Sequence, residues 1–216
     1  MQTDCTARLI TKVFSAFNLQ PIEFGGKVYE PKPLRVSPLL ARGLGCPAQC
    51  GACCTLQGGE GFSLDYLPFE RSPSYTLAER SIEVNGKGYV VYTEAGASSH
   101  CQHLNLHTGR CGIYAVRPFN CDFEIIRLKH FNDVTASNQV LTAAFGRAWR
   151  MTRITGEKGA MCEIQNCSQA NADEAARKLL RLCQWMEYFE VPHKVVPAIQ
   201  YLRNGDWASG KPLMIG

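Results

Sequence analysis

The apolar positions along this chain fall into two patterns, one predicting helices and the other hairpins. Residues 5–18, CTARLITKVFSAFN, place Leu9, Ile10, Val13, Phe14 and Phe17 at helical spacing and predict an amphipathic helix. PIEFGGKVYEP alternates around Gly25-Gly26 and reads as a short hairpin. SIEVNGKGYVVYTE is a clearer hairpin. Its Asn85-Gly86 pair supplies the positive φ values of a tight primed turn, and Tyr89 to Tyr92 is strand-prone. ASNQVLTAAFGRAWRMT returns to helical spacing through Val140, Leu141, Ala144, Phe145, Ala148 and Trp149. NADEAARKLLRLCQWMEYFE predicts a strong helix capped by Asn171, with Asp173 and Glu174 in its first turn. Its buried stripe would be Ala176, Leu179, Leu180, Cys183 and Met186. A shorter helix is expected from Lys194 to Leu202. It tolerates Pro197 in its first turn and stops at Asn204-Gly205. Between these elements, PKPLRVSPLLARGLG reads as a connecting arm and WASGKPLMIG as a tail.

Composition narrows the class. With 216 residues, 45% hydrophobic and 19% charged, the chain can bury a core without staples and is not disordered. No apolar run reaches the roughly 20 residues that span a bilayer, and MQTDCTARLITKVFSAF lacks the layout of a secretory signal. A net charge of +4 without a concentrated basic stripe gives no sign of nucleic-acid binding.

The eleven cysteines change the picture most. Their number is odd, and without a signal sequence the chain is expected in a reducing, cytoplasmic setting, where clustered thiols serve as ligands more than as bridges. CPAQCGACC holds Cys46, Cys50, Cys53 and Cys54. Cys101, Cys111 and Cys121 follow at intervals of ten. Gly51 lets the backbone of Cys50-x-x-Cys53 turn tightly enough for both sulfurs to reach one metal at about 2.3 Å. Side chains of neighbouring residues diverge, so Cys54 would bind a second metal, bridge two, or stay free. One tetrahedral ion uses four thiolates; seven suggest a cluster, two sites, or one site with spares. Cys162 and Cys167 form a weaker pair, and Cys183 lies on the apolar stripe of its helix. His100, His103 and His107 flank Cys101, but the thiols suffice without them.

The motifs CPAQCGACC, CQHL and GRCGIYAVRPFNCDF resemble the CxxCxxCC family, described as zinc- or iron-chelating domains. That family joins a CGxCC element to a run of the form C-x-x-L, G-x-C-x-I-Y and R-P-x-x-C-x-F. Cys101, Leu104, Gly109, Cys111, Ile113, Tyr114, Arg117, Pro118, Cys121 and Phe123 all fall in place. The gap Cys46-x-x-x-Cys50 is one residue longer than usual, and Glu124 stands where a proline often follows. The resemblance covers roughly residues 44 to 125 and implies a metal held by thiolates from two separated segments.

Four thiolates around zinc or a cubane 4Fe–4S cluster leave negative charge, which Arg110 and Arg117 would offset. Tyr114 and Phe119 would shield the centre from water, and Pro118 would help aim Cys121. The flagellin lysine methylase is similar in its cysteine cluster, which makes an iron–sulfur enzyme acting on a protein one alternative; a metal chaperone or sensor is another. Cys46, Cys50 and Cys53 also give the literal C-x3-C-x2-C of radical S-adenosylmethionine enzymes. The alternating barrel pattern those enzymes need is absent, and no glycine-rich loop for the cofactor is present. The expectation is an α+β fold, with two short hairpins and an irregular, metal-organised cysteine core packed against three or four helices. Residues 1–43 form an N-terminal helix, hairpin and arm. Residues 44–125 form the cysteine region, and residues 126–216 a helical part of the same domain. The expected ligands are Cys46, Cys50, Cys53, Cys54, Cys101, Cys111 and Cys121, with zinc or an iron–sulfur cluster as the bound group. The helical remainder would serve a protein partner.

Overall fold

The computed structural model describes residues 5–45, 63–70, 77–95, 101–119 and 163–216. Helix α1 (Cys5–Phe17) forms where the first apolar period stands. It buries Ile10, Val13, Phe14 and Phe17, whereas the side chain of Leu9 lies outside the description. Strands β1 (Ile22–Phe24) and β2 (Lys27–Tyr29) make the first hairpin, and Gly25 and Gly26 both take positive φ at its turn. Strands β6 (Ala78–Val84) and β7 (Lys87–Ala95) make the second, with Asn85 at φ 52° and Gly86 at φ 72°. Asn85 also joins the two hairpins. Its N–H donates to the Glu23 carbonyl at 2.9 Å, and its Oδ1 accepts from the Glu23 N–H at 2.8 Å. With β5 (Ser63–Tyr66) the result is an antiparallel sheet in the order β2-β1-β6-β7-β5.

The two faces of this sheet have different partners. Phe24, Ile82, Val84, Tyr89 and Val91 face the main core. Tyr66 and Tyr92, paired across β5 and β7, pack instead against Cys101, Leu104 and Ile113. The main core is completed by α1, α2 (Gln169–Tyr188) and α3 (Val195–Arg203). Tyr188 donates to the Val90 carbonyl at 2.7 Å and Tyr89 to the Phe189 carbonyl at 3.1 Å, fixing the end of α2 to the sheet. The α+β class is as the hydrophobic pattern predicts.

Three local expectations are corrected. The connecting arm contains β3 (Leu34–Val36), a 3-10 turn (Pro38–Ala41) and β4 (Arg42–Gly45), and it buries Leu34, Val36, Leu40 and Ala41. The tail is not loose either. Leu213–Ile215 forms β11, which pairs antiparallel with β3. Strand pairing supplied a partner that local alternation did not reveal, as it also did for β10 (Glu163–Cys167) on β4. In α2 the cap is Ser168, whose hydroxyl accepts from the Asn171 N–H at 3.2 Å, so the helix starts two residues before Asn171. Its buried stripe runs through Ala172, Ala175, Ala176, Leu179, Leu182, Cys183, Trp185 and Met186, while Leu180 is exposed. The helix expected around residues 140–149 lies outside the described residues. Among the described residues no helix is long and apolar enough to cross a membrane.

Candidate metal centre

Of the expected ligands, Cys101 and Cys111 are described; Cys46, Cys50, Cys53, Cys54 and Cys121 lie outside the described residues. The segment carrying the two is a tight turn closed by its own backbone. Strands β8 (Leu104–Asn105) and β9 (Arg110–Cys111) pair antiparallel, with Leu104 opposite Cys111. Asn105 organises the connection. Its Oδ1 accepts from the N–H groups of His107 and Thr108, and its carbonyl from Gly109, which sits at φ 65°. The Leu104 N–H donates to the Cys101 carbonyl at 3.0 Å and the Gly112 N–H to the His103 carbonyl at 2.8 Å. The pairing sets Cys111 opposite Leu104, which packs beside Cys101, so two thiols ten residues apart in sequence come near each other.

Both cysteines are free thiols. Cys101 is 4% exposed, and burial pushes its thiol up to about 11; the backbone N–H groups of His103 and Leu104 work against this, and the nearby Cys111 and Glu94 add to it. A buried sulfur with N–H donors aimed at it and a second thiol beside it is a fitting half-site for a thiophilic metal, which would replace the proton. Among the described residues no group of three or more His, Cys, Asp or Glu side chains converges on a metal-sized position.

The histidines separate by role. His103 is turned away from solvent, and its Nε2 lies 3.0 Å from Glu94 Oε2. The same carboxylate oxygen accepts from the buried Tyr66 hydroxyl at 2.7 Å. Burial opposes ionisation of Glu94, yet hydrogen bonds, led by that of His103, hold its carboxyl below the usual carboxylate range. His107 stands on the exposed side of the turn, and His100 lies outside the described residues.

The expected shield and counter-charges are partly corrected. Tyr114 is 61% exposed, with the Arg117 guanidinium over its ring at 4.2 Å, and Arg110 is exposed. Phe119 is fully buried, but in the main core, 5.3 Å from the Trp185 ring.

Sequence reading missed two acidic anchors. Glu94 shares its strand face with Tyr92, a parity that would have placed it toward the cysteines. Glu70 sits in a 3-10 turn (Pro68–Glu70) and accepts from four donors. The N–H groups of Leu67 and Phe119 lie at 3.1 and 3.2 Å, Trp185 Nε1 at 3.1 Å, and an Arg181 guanidinium nitrogen at 2.7 Å. Arg181 also donates to the Arg117 carbonyl at 2.9 Å. Glu70 thereby ties the end of the cysteine segment to α2, through partners no local pattern could supply.

Searches among curated proteins and among solved structures returned no match. Residues 45–140 match the model of the CxxCxxCC family, whose description reads "Putative zinc- or iron-chelating domain", in agreement with the resemblance carried by the cysteine motifs.

Proposed function

We propose that the chain is a metal-binding protein in which cysteine thiolates from two separated segments hold zinc or an iron–sulfur cluster. The observation that carries this reading is the turn presenting a buried Cys101 beside Cys111, both free, within the matched region. Cys46, Cys50, Cys53, Cys54 and Cys121 complete the proposed ligand set around an irregular, metal-organised core. Bound there, zinc would organise the fold, and a cluster would add electron transfer or a reactive iron. An iron–sulfur enzyme acting on a protein, a metal chaperone and a sensor are narrower versions of this function.

Anaerobic purification with elemental analysis and absorbance tests it. Stoichiometric iron and sulfide with a broad visible band support the cluster; a colourless protein with stoichiometric zinc supports the structural ion. Cys101→Ser and Cys111→Ser should each lose metal. A wild-type protein free of both metals after anaerobic purification, and unable to take up either, would overturn the proposal.

A further inference from the structure

Glu94 stands near the end of β7, where a carboxylate would ordinarily reach water, yet it is 8% exposed. Oε2 takes the bonds of both Tyr66 and His103, and the Gln102 side chain of the same turn adds a further attraction to the carboxylate. Tyr66 Oη donates at 2.7 Å from β5, and His103 Nε2 lies at 3.0 Å from the cysteine turn. With Glu94 ionised, Nε2 carries the proton. Strands β5 and β7 are neighbours in the sheet, so Tyr66 and Glu94 are held by its ladder, and His103 is the member of the trio that comes from the cysteine turn. The backbone of His103 belongs to the turn itself. Its carbonyl accepts the Gly112 N–H at 2.8 Å, and its N–H faces Cys101. His103 therefore links the sheet, through its ring, to Cys101 and to the Gly112 that follows Cys111, through its main chain.

We propose that Glu94 is the positioning residue of the metal centre: by holding His103 it docks the turn on the sheet, so that Cys101 and Cys111 stand side by side before a metal arrives. This rests on the metal-binding reading above. Glu94 touches no metal in this scheme; it reduces the ordering that binding would otherwise require.

The test compares Glu94→Ala, Glu94→Gln and His103→Ala in the full chain, with hydrogen exchange on metal-free protein and cobalt(II) titration. Glutamine keeps an oxygen that accepts from both Tyr66 and His103, so it should behave as wild type. Glu94→Ala should speed exchange at the Leu104 and Gly112 amides while leaving α2 protected, and should weaken cobalt binding by about 10- to 100-fold. At saturation the thiolate-to-cobalt absorption should be unchanged, because the ligands are the same. His103→Ala removes only the turn's half of the contact and should reproduce both effects, which covers the case in which Glu94→Ala fails to fold. Wild-type exchange at Leu104 and Gly112 in His103→Ala, or undiminished cobalt affinity, overturns the proposal. Absence of cobalt binding by wild-type protein would overturn the metal-binding reading instead, and the exchange comparison would then decide the positioning role by itself.

Discussion

The two faces of the antiparallel sheet are built by different means. On one face, aromatic and aliphatic side chains from α1, α2, α3 and the sheet pack into a continuous core; Phe14 alone meets Phe24, Tyr29 and Phe189 edge to face at 5.9, 6.3 and 6.4 Å. On the other face the described buried apolar residues are Tyr66, Cys101 and Leu104, with Leu77, Tyr92 and Ile113 around them, and the carboxylate of Glu94 is buried beside them. The first face has enough apolar surface to order itself. The second relies on polar bonds: a carboxylate gripping a histidine, an asparagine folding a turn, and thiols suited to an external ion. The described apolar residues of this face are by themselves too few to offset the ordering entropy of the turn, which is the situation in which metal binding contributes folding energy.

The largest test of that contrast is to damage the apolar face. Phe14→Ala removes a fully packed ring and should cost about 3–5 kcal/mol in urea unfolding, by lost transfer energy and the remaining cavity. The loss should be the same with metal present or chelated. If chelation changes the Phe14→Ala effect by more than about 1 kcal/mol, the two faces fold as one unit and the contrast is wrong.

Glu70 is where the faces join, so its removal comes next. Glu70→Ala leaves the Trp185 indole N–H, the Leu67 and Phe119 N–H groups and the Arg181 guanidinium without their acceptor. Because Arg181 keeps its bond to the Arg117 carbonyl and is partly exposed, the expected cost is about 2–3 kcal/mol, below that of a fully buried pair. Unlike Phe14→Ala, this variant should also raise hydrogen exchange in residues 113–119. A stability loss with no change there would make Glu70 a part of the core only.

This division also explains what was legible in the sequence. Elements that carry their own period or turn chemistry, such as α1 and the Asn85-Gly86 hairpin, could be read locally, because the residues that specify them are neighbours. The β3–β11 and β4–β10 pairs could not, since each strand is short and its partner lies far away in the chain. Leu180 was misassigned because helical spacing alone does not say which flank of a stripe meets the core; Trp185 and Leu182 took that flank. For the site, the cysteines announced themselves through composition and spacing. The residues that aim them, Glu94 and Glu70, are single acids whose meaning arises only when distant strands and helices meet.

Cysteine labelling sharpens the comparison with a smaller effect. Cys101 and Cys183 are matched probes on opposite faces: both are buried, and burial pushes both thiols up to about 11. Intrinsic reactivity being alike, alkylation of the metal-free protein should report how often each face opens. Cys101 should be labelled at least about tenfold faster than Cys183, since among the described residues fewer apolar side chains surround its turn. Peptide mass spectrometry reads the two rates in one sample. Equal rates would mean that the cysteine turn opens only when the whole molecule does.

The smallest effect tests whether the apolar face has a polar dependence of its own. His193 joins the end of α1 to the start of α3 by bridging to Asn18, and its Nδ1 accepts from the Val195 N–H at 3.3 Å, a bond that needs the ring neutral at that nitrogen. Burial lowers its pKa below the ordinary 6.5, with Glu187 opposing in part. Since the unfolded chain takes up the proton first, the stabilising effect is complete above about pH 6.5 and is lost as pH falls through the lowered folded value. Subtracting the urea stabilities of His193→Gln from those of wild type, point by point from pH 8 to 5, should give a difference that is flat above 6.5 and declines below it. A difference that stays flat throughout would mean that protonation of His193 does not bear on the stability of the apolar face.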